Sequence, residues 1–149
     1  MTGLEALKAA LTAENEIIER LIALGETKGQ AMTKPEEVAV ISSEEHDLLL
    51  ELDSLEKERL MLTDVVSAGR GWDALVAGLD QDDELKSLVE QMGDNLRRLQ
   101  EINDLNQVLL HESLQFVQFS LNLIAGDTAV TYARSGHAPS GQSIFDRKV

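Results

Sequence analysis

Cysteine is absent from this sequence, which removes a disulfide framework, thiolate metal sites and a cysteine nucleophile from consideration. Aromatic residues are scarce as well. Three Phe, one Trp and one Tyr stand in 149 residues of which 43% are hydrophobic. A core of Leu, Ile, Val and Ala with few rings suits helix bundles and coiled coils better than sheets. Only Pro35 and Pro139 interrupt the chain, so long stretches are free to be helical. No run approaches the ~20 apolar residues that a membrane span needs. The start, Met1-Thr2-Gly3-Leu4-Glu5, has neither the basic region nor the apolar core of a secretory signal, so a cytoplasmic protein is expected. Basic residues are few, 13 Lys and Arg against 27 Asp and Glu, and the net charge of -14 argues against nucleic acid and anionic membrane as partners. That charge serves solubility, or it keeps a protein with a partly exposed apolar groove from self-associating.

What is present is helical periodicity. From Leu4 to about Met32, Leu4, Leu7, Leu11, Ile18 and Leu21 recur at spacings of three, four and seven, which define one helix face. Gly25 and Gly29 weaken its end and predict fraying or a break near Gly29. Thr33-Lys34-Pro35-Glu36 reads as a restart, with Thr33 as cap, Pro35 in the first turn and Glu36 completing a capping box. In the second helix Ile41, Leu48, Leu55 and Leu62 recur every seven residues, with Val38, Leu52 and Val66 as companions. This coiled-coil-like seam is interrupted by Glu45 and Arg59. Gly69 and Gly71 mark a turn, Trp72 to Leu79 a short helix, and Asp80-Gln81-Asp82-Asp83 the cap and acidic first turn of a third long helix.

That last helix is predicted to run from about Asp82 to Ala125, on a stripe through Leu85, Leu88, Met92, Leu96, Leu99 and Ile102. From Leu105 onward its apolar face is wider than one neighbouring helix can cover. Either it sits at the centre of a bundle or part of it is left for a partner. Asn103 and Asn106 fall on or beside the stripe, where they fix register or partner choice, or line a wet edge. Composition then shifts to Gly, Ser, Thr and Ala, which predicts a flexible C-terminal tail over 126–149. It closes on the apolar-then-basic Ser143-Ile144-Phe145-Asp146-Arg147-Lys148, with a net charge of +1 against -15 for the remainder. The predicted fold is all-α, an elongated antiparallel bundle of three long helices and one short one over 1–125.

No active site emerges. His46 and His111 lack the following Lys-Gly pair of phosphotransfer helices, which leaves that alternative weak. The Glu-x-x-His pairs of bundle metal sites are missing, as is the zinc-protease His pair. Neither an enzyme nor a cofactor is expected. The wide face and the tail are instead candidates for holding another protein's helix. The candidate residues are Asn103, Asn106, Leu109, Leu110, Leu114, Phe116 and Val117, then Phe119, Leu121, Leu123 and Ile124, with Tyr132, Ile144 and Phe145 in the tail.

Several segments resemble the FlgN family of flagellar export chaperones. They are the Leu-rich run from Leu48 to Arg59, the stretch Asn103-Asp104-Leu105-Asn106-Gln107-Val108-Leu109-Leu110, and the ending Tyr132 with Ser143-Ile144-Phe145-Asp146-Arg147-Lys148. The resemblance implies a cytosolic type III export chaperone. It would bind the C-terminal amphipathic helices of hook-associated junction proteins (FlgK- or FlgL-like), prevent their premature assembly and deliver them to the export gate. A structural or adaptor coiled-coil protein that self-associates, as a homodimer, is the alternative.

Overall fold

A computed structural model describes residues 1–125, the side chains of Phe116 and Ala125 apart. The predicted tail, with Tyr132, Ile144 and Phe145, lies outside the described residues. The architecture is all-α: α1 Gly3–Gln30, α2 Pro35–Val66, α3 Trp72–Ala77, a 3₁₀ turn Leu79–Gln81, and α4 Asp83–Ala125, with no strand among the described residues.

Local signals start and stop each helix. Thr2 and Glu5 form a reciprocal capping box at the start of α1, a signal in Thr2-Gly3-Leu4-Glu5 that the reading for a secretory signal passed over. α1 ends at Gln30, one residue beyond Gly29. The expected Thr33 cap and Glu36 capping box do not form. Lys34 is the N-cap of α2, and no side chain caps that end. Proline pushes the residue before it out of the helical region, and Lys34 (φ -118°, ψ 88°) is therefore the last non-helical residue. At the far end of α2, Ala68 (φ 54°) takes the left-handed position, and the Gly69 N–H donates to the Asp64 carbonyl at 2.9 Å. This is a Schellman-type stop without its usual glycine. The short helix expected over Trp72 to Leu79 divides into α3 and the 3₁₀ turn, and the Asp82 carboxylate accepts from the Leu85 N–H at 3.1 Å to begin α4.

The central element is α1. Both α2 and α4 pack along it but not along each other. Contacts fix the directions. Lys28 meets Glu45 and Glu14 meets Arg59, so α2 is antiparallel to α1. Lys8 meets Asp82, Gln91 meets Glu19 and Arg98 meets Glu26, so α4 runs parallel to α1. α3 and the 3₁₀ turn close one end, where Leu75 and Leu79 join Leu7, Leu11 and Leu85 in the core. A second cluster of Ile17, Leu21 and Leu48 fills the middle.

Candidate partner-binding surface

Residues 11, 14, 18, 21, 25 and 28 share one face of α1 at spacings of three and four, and two of them are charged. Arg59 Nε donates to both oxygens of Glu14 at 3.0 Å, and its guanidinium lies 5.0 Å from the centre of the Trp72 ring. Lys28 Nζ donates to Glu45 Oε1 at 2.8 Å in a pair buried on both sides. The polar interruptions of the α2 seam are thus matched by charges on α1. Glu14 and Lys28 escaped the sequence reading because a charge on an apolar face reads as a flaw until its partner on another helix is known. Burial pushes the Glu14 carboxyl above its ordinary value, and the charge and hydrogen bonds of Arg59 offset this only in part.

The two glycines of α1 have a different role from the weak end expected of them. A Cβ on Gly25 would stand 2.8 Å from Ile102 Cγ2, and one on Gly29 2.6 Å from Asn106 Oδ1. Only glycine lets α4 come this close. Asn106 is buried there and donates from Nδ2 to the Gly25 carbonyl at 2.8 Å. Asn103, one turn earlier, is buried too. Both asparagines are buried, and both also line recesses that open between α4 and α2.

Beyond this junction α4 outruns its partner. Its 43 residues span about 65 Å and the 28 of α1 about 42 Å. Leu109, half-buried near Gly29, is the last α4 residue to approach α1's glycines. Farther on, Leu110, Leu114, Val117, Phe119 and Leu121 are exposed, with Leu114 at 60%, and exposure reaches 72% at Leu123 and 83% at Ile124. α4 carries two stripes. One runs through Leu85, Met92, Leu99, Ile102 and Leu109 and is used against α1 over most of its length. The other recurs every seven residues at Leu96, Asn103, Leu110, Val117 and Ile124, with Leu114 and Leu121 beside it. Apart from Asn103 these residues are exposed. Of the two alternatives for the wide face, burial at a bundle centre is therefore the one the fold does not realise.

The second stripe begins in a groove. Because α2 and α4 each pack chiefly on α1, a mainly apolar cleft of about 230 Å³ opens between them, floored by Ile18 and Leu21 and walled by Leu49, Leu52, Leu96 and Leu99. Four carboxylates, Glu14, Glu45, Asp53 and Glu56, and one cation, Arg59, also line it. A smaller recess beside Met32, Val38, Gln107 and Leu110 continues it toward the projecting end, sharing Asn103. Sequence reasoning did not find this groove, which depends on how the helices are set apart.

His46 and His111 are both exposed, and no group of His, Asp and Glu among the described residues is arranged to hold a metal. Nor is any described helix long and apolar enough to cross a membrane.

No solved structure matches the chain. It is similar to the uncharacterized protein YvyG of Bacillus subtilis (strain 168), at 27% identity over 142 residues that cover 87% of this chain and 89% of that one. A model of the FlgN protein family matches residues 1–140. With nearly its whole length matched and the expected helices in place, the chain belongs to the FlgN family.

Proposed function

We propose that this protein binds the C-terminal amphipathic helices of hook-associated (FlgK- or FlgL-like) junction proteins in the cytosol, keeps them from assembling early and delivers them to the flagellar export gate. Membership in FlgN, a chaperone family and not an enzyme family, supplies the flagellar export chaperone role in general terms. The finer reading rests on one observation: the second stripe of α4, from Leu110 through Leu114, Val117 and Leu121 to Ile124, is exposed, with no other described element over it. Surfaces of this kind mark sites of protein association. An amphipathic helix with apolar residues at i, i+3, i+4 and i+7 is the ligand whose shape fits such a stripe. A client end that later packs as a coiled coil carries that pattern and is prone to aggregate while unpaired.

Co-expression with the last ~50 residues of a junction protein, enough for one or two helices, is expected to yield a soluble complex that survives size exclusion. Failure of every junction-protein end to co-purify, with the isolated ends folded and soluble, overturns the reading. The self-association alternative invokes the same stripe, and light scattering separates the two. A tight homodimer that excludes the client end favours an adaptor.

A further inference from the structure

We propose that the groove between α2 and α4 is a docking site for this chain's own segment Ser143-Ile144-Phe145-Asp146-Arg147-Lys148. The chaperone reading leaves the groove without an occupant, since the exposed stripe assigned to the client lies beyond Leu109, whereas the groove is centred on Leu52, Leu96 and Leu99. Its chemistry points to an apolar ligand with a basic end. An apolar cavity of roughly 150 Å³ takes up a benzene ring, and this one, at about 230 Å³, has room for a phenyl ring and a branched aliphatic side chain together. Glu14 and Glu45 are already paired with Arg59 and Lys28 inside the bundle, so a basic end would meet Asp53 and Glu56 on the α2 wall, whose own cations are the exposed Lys57 and, at 4.0 Å, Arg59.

Residues 126–149 lie outside the described residues, but their sequence carries the complement. Ile144 and Phe145 are adjacent apolar side chains, and Arg147 and Lys148 follow within a few residues in a chain that is otherwise strongly acidic. The tether reaches. From the end of α4 back to Leu99 is about 40 Å of helix, and the eighteen residues 126–143 extend at most about 60 Å. Tethering also raises the local concentration of the segment into the millimolar range, so a motif of only a few residues suffices to hold the groove. Charge complementarity predicts that docking weakens as salt rises.

The absence of cysteine permits a direct test. Gln100→Cys, on the exposed edge of the groove, and Ser143→Cys, beside Ile144, are introduced into the full chain and treated with a short bismaleimide at low protein concentration. Gln100 is exposed, and circular dichroism checks that both variants keep the helical fold. The expected product is a crosslinked monomer. Its rate of formation falls at least tenfold when Ile144→Asp and Phe145→Asp are added, and severalfold in high salt. Three results overturn the proposal: no crosslink, covalent dimers only (a second copy fills the groove), or a rate that ignores the Ile144 and Phe145 substitutions, as for a tail that merely collides. No client is present in the experiment, so its failure leaves the chaperone reading intact, and failed client capture leaves this one intact.

Discussion

Replacing Gly25 with Ala tests the closest contact in the fold. In an ordinary helix interior the change stabilises, because Ala is favoured over Gly by about 1 kcal/mol. At Gly25 the new methyl would lie 2.8 Å from Ile102 Cγ2, against the roughly 3.5–4.0 Å that carbon atoms require. Isoleucine in a helix has one strongly preferred rotamer, so that methyl cannot swing aside. α1 and α4 must then separate locally, at the ~1–3 kcal/mol typical of overpacking. The same movement stretches the 2.8 Å bond from Asn106 to the Gly25 carbonyl, a loss of about 1 kcal/mol. Against the helix gain, a net destabilisation of about 1–3 kcal/mol is expected. Gly93→Ala is the control. It lies in mid-α4, where a Cβ meets only the movable guanidinium of Arg97 at 3.7 Å, so this variant should be stabilised, by up to ~1 kcal/mol. Denaturant unfolding followed by helical circular dichroism, with m-values compared, measures both. If Gly25→Ala stabilises as much as Gly93→Ala, the close approach of α1 and α4 at this point is refuted.

Leu114→Asp with Val117→Asp should abolish client capture while changing stability by no more than about 0.5 kcal/mol, because both residues are exposed; unfolding of the double variant would show that the face is core. Ala68→Gly should raise stability by ~1 kcal/mol, since Ala68 holds the left-handed position at the end of α2 and glycine adopts it without penalty; an unchanged denaturation midpoint argues against that geometry. Arg59→Met should destabilise by about 3–5 kcal/mol, as it leaves the buried Glu14 carboxylate without its partner, and adding Glu14→Gln should recover part of the loss. Glu14 and Asp82 should titrate on opposite sides of their ordinary values, as read from carboxyl carbon NMR shifts. Glu14, raised by burial, loses its proton only above 4.5, so its contribution favours folding most at low pH and declines as pH rises through that region. Asp82 is held below 3.8 by its hydrogen bonds from Lys8 and the Leu85 N–H, so its contribution is present above that value and is lost as pH falls below it. A lowered Glu14 value would contradict its burial, and a raised Asp82 value would contradict the Lys8 contact.

The number and order of the helices were legible because each boundary has a local cause. Asp82 caps α4 where an Asp-rich turn precedes an apolar stripe, and Gly69 and Gly71 take positive φ after α2. Where a boundary depends on competition between neighbours, the reading failed: Thr33 offers a capping oxygen, but Pro35 decides that Lys34 is the last non-helical residue. The wide face of α4 was visible as composition, whereas its exposure beyond Leu109 depends on where α1 ends. Relations between helices were not visible. The seam of α2 showed Glu45 and Arg59 as defects, and nothing local to α2 states that Lys28 and Glu14 await them. Gly25 and Gly29 carry an intrinsic signal of helix weakness, and only the facing Ile102 and Asn106 turn it into a packing requirement. The groove is a property of spacing between α2 and α4, for which a one-dimensional pattern has no expression.

What separates the buried from the exposed part of α4 is the length of its neighbour. The stripe that meets α1 at Met92, Leu99, Ile102 and Asn106 keeps its apolar character past Leu109, and the second stripe keeps its seven-residue period from Leu96 to Ile124. Nothing in α4 itself changes at Leu109 except what lies opposite. α1 ends at Gln30, the turn at 31–34 reverses the chain, and Pro35 starts α2 back toward the closed end. Among the described residues, both helices that flank α4 therefore stop at one level, and past that level its apolar residues are exposed. The short turn at Lys34-Pro35, far in sequence from the end of α4, thus sets how much of α4 is exposed among the described residues.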